Sequence, residues 1–220
     1  MKVGIVVFPG TNCDRDTARA IEAVGGQPLP LWHASTDALS GCDAIVLPGG
    51  FAHGDALRAG AIARFSAIMP RVVEFADSGR PVLGICNGFQ VLVECGLLPG
   101  ALLRNDSLQF RAEWVHCRVE APMWGLQPGA MLRMPVAHGM GNYFPDSSAP
   151  KPDVVLRYCD GHGRVTPESN PNGSFDNIAG IANGNVFGLM PHPERATSEL
   201  LGSVDGRYIF QALVRELVAA

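Results

Sequence analysis

A cysteine flanked by glycines is the clearest candidate nucleophile in this chain. Residues 84–88 read Gly-Ile-Cys-Asn-Gly, and they follow a short apolar run that begins at Pro81. A nucleophile two residues from a glycine on each side, at a strand-to-helix junction, forms a nucleophile elbow. The start of the following helix favours a thiolate through its free N–H groups and its dipole. The pattern therefore predicts that Cys86 is a nucleophile.

A histidine and a glutamate far downstream offer a matching base. His192 stands between two prolines, just past an apolar run that ends at Met190, and Glu194 follows two residues later. In an extended segment, positions two apart face the same side, so Glu194 could bind one imidazole nitrogen while the other faces the thiol. Together these side chains would supply nucleophile, base and orienting group. A solvated surface ion pair is the alternative for His192 and Glu194 taken alone.

Alternating strand and helix patterns precede the cysteine. Continuous apolar runs predict strands at residues 3–8, 28–32, 44–47 and 81–85. Helices are predicted from Asp14 or Asp16 as cap to Val24, across 58–76 with a break or kink at Pro70, and, after Cys86, over a stretch that includes 90–94 and closes at Gly96. This alternation predicts a parallel, doubly wound sheet, whose sites lie at the carboxyl ends of the strands.

The second half of the chain has a different pattern. Antiparallel-type strands are predicted at 114–119, 130–136 and 154–158, a hairpin at 178–190, loops at 141–153 and 161–177, and an amphipathic helix at 207–218. We therefore expect an α/β protein: a three-layer sandwich with a mostly parallel doubly wound sheet, plus antiparallel strands in the second half. Residues 1–220 are expected to form a single domain.

Composition excludes several classes of function. The formal net charge is −4 and no basic tract occurs, which argues against nucleic-acid binding. No apolar run reaches the roughly 18 residues of a membrane span. The six cysteines form no C-x-x-C pair and no metal-like cluster, so we expect reduced thiols, no metal and a cytoplasmic location.

Other residues near predicted strand ends leave alternatives open. Gly49 and Gly50 follow the third strand, either as a simple turn or as a backbone segment whose N–H groups approach a substrate oxygen. Cys13 lies in the turn after the first strand, and its role is open, whereas the remaining cysteines are expected to be small buried hydrophobic residues. His138 could line a site or simply pack.

Taken together, these motifs resemble the class I, or triad, glutamine amidotransferases. Within that class the sequence is similar, almost from end to end, to the glutaminase subunits of phosphoribosylformylglycinamidine synthases. The segments that carry the resemblance are 8–14, 48–51, 54–55, 57–63, 84–90, 97–100, 135–139, 172–174 and 190–195. His53, Ala56 and Met140 differ from the residue types expected at their positions.

The resemblance implies a glutaminase site. Cys86 would attack the side-chain amide of L-glutamine, and His192, oriented by Glu194, would transfer protons. The N–H groups of Gly50 and Asn87 would form the oxyanion hole.

The same resemblance implies further contacts and partners. Gly49, Gln90 and His138 would contact the substrate. The ammonia would pass to a separate synthetase subunit, which uses ATP and Mg to convert formylglycinamide ribonucleotide in purine synthesis, and a small bridging subunit would join the two. This chain itself would hold no cofactor.

Two rival readings belong to other classes of protein. A stand-alone cysteine-elbow amide or γ-glutamyl hydrolase would use the same elbow without a partner. A non-catalytic binding module would retain Cys86, His192 and Glu194 without using them in catalysis.

Overall fold

The computed structural model describes residues 1–36, 39–148 and 151–219, with side chains described up to residue 215. Its strands are β1 (Lys2–Val7), β2 (Gln27–Trp32), β3 (Ala44–Leu47), β4 (Val82–Ile85), β5 (Ala101–Leu103), β6 (Arg111–Val119), β7 (Met131–His138), β8 (Asn142–Phe144), β9 (Asp153–Cys159), β10 (Ile178–Asn183) and β11 (Val186–Leu189). Its helices are α1 (Asp14–Ala23), α2 (Met69–Asp77), α3 (Asn87–Glu94) and α4 (Arg207–Ala219). Short 3₁₀ turns connect several of these elements.

One large sheet organises the molecule. Its nine strands follow the order β2-β1-β3-β4-β11-β10-β9-β6-β7. The pairings from β2 to β11 are parallel, and those from β11 to β7 are antiparallel. Strands β5 and β8 form a separate antiparallel pair. The sheet is therefore mixed, with its antiparallel part built from the second half of the chain as predicted.

Helices cover this sheet on both faces. The chain moves from β1 to β2 in one direction and from β3 to β4 in the other, and both crossovers contain a helix. Because such crossovers are right-handed, α1 and α2 lie on opposite faces. Helix α4 packs beside α1, while α3 packs on β3, β4 and β11. The result is the expected three-layer α/β arrangement.

The central strands form the core of the molecule. All four residues of β3, of β4 and of β11 are buried. Strands that are covered on both faces read as continuous apolar runs rather than as alternating patterns, which is why they could be located from the sequence. The carboxyl ends of β3, β4 and β11 lie side by side, since these strands are parallel neighbours.

Two expectations about the helices were wrong. The helix predicted across 58–76 forms only from Met69, and Pro70 lies in its first turn, where a missing N–H leaves no bond unmade. Residues 58–68 instead form turns and a short 3₁₀ helix. Cys13, rather than Asp14 or Asp16, occupies the N-cap of α1, and it makes no side-chain cap.

The segment predicted as a loop at 141–153 also differs from expectation. It contains β8, whose Tyr143 is fully buried and donates a hydrogen bond to the carbonyl of Pro99. Residues 149–150 of that segment lie outside the described residues. Across the described part of the chain, every helix is too short or too polar to cross a membrane.

Candidate active site

Cys86 occupies a strained corner between β4 and α3. Its φ of 49° and ψ of −103° are rare for a residue with a side chain, and such strain is characteristic of functional positions. A Cβ added to Gly88 would lie 1.9 Å from the carbonyl oxygen of Leu47, so only glycine allows α3 to approach β3 this closely. The Cys86 N–H donates to the carbonyl of Leu189 at 2.8 Å, which ties the corner to β11.

His192 and Glu194 follow the neighbouring strand and form a buried pair. The imidazole Nδ1 lies 2.6 Å from Oε1 of Glu194, and the two residues are only 2% and 1% exposed. The pairing arises in a 3₁₀ turn over Pro193–Arg195, not in the extended segment that we had expected. The backbone N–H of His192 donates to the carbonyl of Pro135 at 2.8 Å, and this bond fixes the backbone position from which the imidazole projects.

The surroundings of His192 favour its charged form. Burial is the largest single influence and would lower the pKa of the imidazole, but Glu194, then Cys86 and then Cys13 together outweigh it. The pKa of His192 therefore lies well above its usual value of 6.5. Its Nε2, on the side of the ring away from Glu194, has no hydrogen-bond partner among the described residues. The ring can thus hold a proton on Nδ1 and exchange another at Nε2.

Gly49 and Gly50 continue from β3 beside this ring. A Cβ on Gly49 would lie 2.6 Å from Cε1 of His192, so the missing side chain makes room for the imidazole. The bridge between Thr11 and Gly50 uses the N–H groups of the following residues, Asn12 and Phe51. In such an antiparallel pair the N–H of Gly50 points away from Thr11. The N–H of Asn87, in the first turn of α3, also lacks a partner within its helix.

A small cavity of about 140 Å³ opens beside the cysteine. Its walls include Gly50, Asp55, Cys86, Gln90 and His138. Larger cavities of about 390–410 Å³ lie elsewhere on the surface, but they are lined by other residues than these five. Four of the eight site residues predicted from the sequence thus line this cavity, whereas its lining does not include Gly49, Asn87, His192 or Glu194.

The side chain of Asn87 connects three parts of this site, which sequence reasoning missed. Its Oδ1 accepts the N–H of Ala52 at 2.9 Å, and its Nδ2 donates to Asp55 at 3.1 Å and to Gln90 at 2.9 Å. Burial raises the pKa of Asp55, although the bond from Asn87 opposes that change. Gln90 in turn donates to the carbonyl of Met140 at 2.7 Å, so both ends of its amide already have protein partners.

His138 is held between two asparagines. Its Nδ1 lies 3.1 Å from Oδ1 of Asn105, and its Nε2 lies 3.4 Å from Nδ2 of Asn172. Nδ1 therefore donates and Nε2 accepts, which requires a neutral ring. Burial, followed by the charge on His192, lowers the pKa of His138 to about 4. The ring forms part of the cavity wall, with both nitrogens occupied by the protein.

Cys13, whose role the sequence left open, lies against the buried pair. Its sulfur, His192 Nδ1 and a carboxylate oxygen of Glu194 all lie within 4.8 Å of one another, a spacing that metal ligands can have. However, Nδ1 and Oε1 already bind each other, and Nη2 of Arg195 lies 3.0 Å from the sulfur. A guanidinium at that distance opposes a cation, so the cluster suits proton chemistry better than metal binding.

The fold and this site together define a glutamine amidotransferase. The family described as the CobB/CobQ-like glutamine amidotransferase domain matches residues 1–207, and the chain belongs to that family. The crystal structure of a glutamine amidotransferase from Thermotoga maritima shares the fold, with a TM-score of 0.61 over 99% of this chain and 96% of that chain at 16% identity.

More similar relatives carry one name. Phosphoribosylformylglycinamidine synthase subunit PurQ from Chlorobaculum tepidum is 56% identical, over 99% of this chain and 98% of the relative. The subunit of that name from Moorella thermoacetica is 51% identical over 97% and 95%. A chain in the solved structure of PurLQS from Thermotoga maritima matches with a TM-score of 0.89 and 42% identity, over 98% of both chains.

Proposed function

We propose that this chain is the glutaminase subunit of a phosphoribosylformylglycinamidine synthase. It hydrolyses L-glutamine to glutamate and ammonia and delivers the ammonia to a synthetase subunit, which converts formylglycinamide ribonucleotide to formylglycinamidine ribonucleotide. The observation that carries the proposal is the buried pair of His192 and Glu194, 2.6 Å apart between Nδ1 and Oε1, close enough to Cys86 for that cysteine to favour the imidazolium. The near full-length similarity to PurQ subunits supports the choice of reaction.

The proposed reaction begins with attack on the amide. The sulfur of Cys86, as a thiolate, forms a bond to the side-chain carbonyl carbon of glutamine. The negative charge moves to the carbonyl oxygen, which the N–H groups of Gly50 and Asn87 stabilise. Donors placed in this way are each worth on the order of a hundred- to a thousand-fold in rate.

Proton transfer by His192 completes both half-reactions. The imidazolium, oriented by Glu194, donates a proton to the leaving nitrogen, the carbon–nitrogen bond breaks, and ammonia and a thioester form. The neutral imidazole then takes a proton from water, which attacks the thioester. Collapse of the second tetrahedral state releases glutamate and restores the Cys86 thiolate and the imidazolium.

The surroundings of the site are assigned supporting roles in this proposal. Gly49, Gln90 and His138 are assigned contacts with the substrate. Gln90 and His138 line the cavity and also bind neighbouring protein groups, whereas Gly49 lies against the ring of His192. ATP and Mg act on the synthetase subunit, and a small bridging subunit joins it to this one. Ammonia is shielded on the way, because the free molecule would be protonated in neutral water.

The complex is proposed to work in the cytoplasm, and the six free cysteines suit a reducing compartment.

A nitrogen-source experiment tests the proposal. The chain is assembled with the synthetase and bridging subunits, and product formation from formylglycinamide ribonucleotide and ATP is measured with glutamine or with ammonium chloride. Cys86→Ala should abolish the glutamine-dependent reaction and leave the ammonia-dependent one intact. Cys42→Ala, at a buried cysteine in the core beside Gly4, is the matched control and should leave both intact.

The same assay separates the rival function. We expect the isolated chain to release ammonia from glutamine slowly and the assembled complex to release it faster. Equal turnover by both would instead favour a stand-alone amide hydrolase. Loss of the ammonia-dependent reaction in Cys86→Ala would contradict the assignment of Cys86 to the glutaminase half-reaction alone.

A further inference from the structure

The thiol of Cys13 is a buried reactive group that the reaction above does not use. Cys13 is 0% exposed, and its sulfur lies 3.9 Å from Nδ1 of His192. Nδ1 is the ring nitrogen that also faces Glu194, at 2.6 Å. A second sulfur therefore lies on the side of the ring that Glu194 orients.

Two neighbours fix the direction in which the lone pairs of this sulfur point. The thiol donates its hydrogen to Oδ1 of Asn12 at 3.1 Å, and it accepts a hydrogen bond from Nη2 of Arg195 at 3.0 Å. One lone pair of the sulfur accepts the hydrogen bond from Arg195, and the other is available to accept the N–H at Nδ1 of His192. The sulfur is then a second, weak acceptor for a proton whose main acceptor is Glu194.

The backbone holds the thiol in this place. The N–H of Cys13 donates to the carbonyl of Gly49 at 3.2 Å, and Cys13 is the N-cap of α1. A Cβ on Gly49 would lie 2.6 Å from Cε1 of His192 and 3.1 Å from the Cys13 sulfur. The ring and the thiol thus share one slot, which the absence of a side chain on Gly49 leaves open.

Arg195 contributes charge as well as a hydrogen bond. Its Nε lies 3.9 Å from Oε1 of Glu194, so its guanidinium lies close to both acceptors of the Nδ1 proton. Within the described part of the chain, the charged and titratable groups that act on or lie beside His192 are Glu194, Cys13, Arg195, Cys86 and His138. Of these, Glu194, Cys13 and Cys86 favour the imidazolium.

We propose that Cys13, held by Arg195 and Asn12, is a positioning residue that fixes the His192 ring and stabilises its protonated form. It acts through the ring of His192, whose Nδ1 lies 3.9 Å from its sulfur. Its removal therefore changes how readily the thiolate–imidazolium pair forms, not how glutamine binds. The proposal rests on the proposed function only where turnover of glutamine is the readout.

Turnover in the assembled complex gives the first test. Cys13→Ala should lower kcat roughly tenfold, the equivalent of about one pKa unit, with KM for glutamine unchanged. The alkaline limb of the bell-shaped pH profile should move to lower pH, because a less basic imidazole loses its proton at lower pH. Cys13→Ser keeps an acceptor and should recover part of the loss. Cys42→Ala, at another buried cysteine, should keep the wild-type profile.

Alkylation of Cys86 gives a second test that needs no glutamine. The complex is treated with iodoacetamide over a range of pH, and mass spectrometry of peptides measures modification of Cys86. The rate of that modification at neutral pH should fall in Cys13→Ala and fall less in Cys13→Ser, because the neutral thiol and imidazole then gain population at the expense of the thiolate–imidazolium pair. A rate and a kcat equal to those of Cys42→Ala would show that Cys13 only packs and would overturn the proposal. If wild type failed to hydrolyse glutamine, the proposed function would fail, while the alkylation rate would still decide the role of Cys13.

Discussion

Asn87 accepts the backbone N–H of Ala52 at 2.9 Å, so the first residue of α3 holds the loop that follows β3. That loop is strained, since His53, Asp55 and Leu57 all have positive φ. Residues held in such conformations cost of order 1 kcal/mol or more each and persist only when their surroundings hold them. The hydrogen bonds of the Asn87 side chain to this loop therefore keep the proposed oxyanion donors on Gly50 and Asn87 close together.

Removing the side-chain hydrogen bonds of Asn87 should impair catalysis without removing a backbone donor. Asn87→Ala keeps the N–H of residue 87 but loses the bonds to Ala52 and Asp55. We expect the loop to relax and kcat to fall on the order of a hundredfold, the effect of losing one oxyanion donor. Steady-state glutaminase kinetics of the assembled complex measure this.

The matched control for that variant is Asn183→Ala. Asn183 is exposed, and its amide donates to the carbonyl of Leu97 at 3.2 Å, away from the residues of the site. Its kcat should equal that of wild type. Full activity of Asn87→Ala would show that the loop keeps its conformation without these hydrogen bonds, which would contradict the prediction.

The glycine at the start of α3 should be intolerant of any side chain. In Gly88→Ala the new methyl group would lie 1.9 Å from the Leu47 carbonyl oxygen, so α3 must move away from β3. We expect a loss of about 3 kcal/mol in the free energy of unfolding, the upper range for overpacking. Gly161→Ala is the control, because its nearest neighbour would be an atom of His116 at 4.0 Å. Urea unfolding compares the two, and equal stability would contradict the packing argument.

The fold was largely predictable because its central strands are buried on both faces. Such strands appear as apolar runs, and they were located at β1, β3 and β4. The segment 58–68 misled because its alanines and arginines favour a helix locally. Gly60 has a φ of 82°, which a helix does not allow, and the segment packs against α3 instead. Tertiary contact overrode local preference there.

Of the candidate site, only the residues that belong to a local motif could be proposed from the sequence. Cys86 was proposed from its flanking glycines, and His192 with Glu194 from their spacing. The bond from Ala52 to Asn87 joins positions 35 apart, and that from Arg195 to Cys13 joins positions 182 apart. Contacts of this kind depend on strand order and on the turns at strand ends, which no short pattern encodes.

Loss of the orienting carboxylate should shift the pH dependence of catalysis in a defined direction. Burial would lower the pKa of His192, and Glu194 is the strongest group opposing that change. In Glu194→Gln the imidazolium should lose its proton at lower pH, so the alkaline limb of the kcat/KM profile should shift to lower pH. The maximal rate should fall roughly 10²- to 10⁴-fold, the usual contribution of a positioned acid or base.

Glu199→Gln serves as the control for that profile. Glu199 is an exposed glutamate in a nearby 3₁₀ turn, and its change should leave both limbs in place. An unshifted alkaline limb in Glu194→Gln would mean that Glu194 does not govern the protonation of His192.

His138 should make the protein sensitive to mild acid. Burial, and then the charge on His192, lowers its pKa from 6.5 to about 4. Because the unfolded chain binds this proton and the folded one does not, stability should fall as pH drops from 6.5 toward about 4, by up to about 3 kcal/mol. His192 has the opposite shift, so its contribution is complete below 6.5 and adds no slope in this window.

A variant without the titrating ring isolates this effect. His138→Gln retains a donor and an acceptor for Asn105 and Asn172, so its urea midpoint should depend less steeply on pH between 4 and 6.5. His162→Gln removes an exposed histidine and should follow wild type. If His138→Gln kept the full wild-type slope, the acid sensitivity would have to arise from other groups, such as His33, whose pKa is also lowered, first by burial and then by His53.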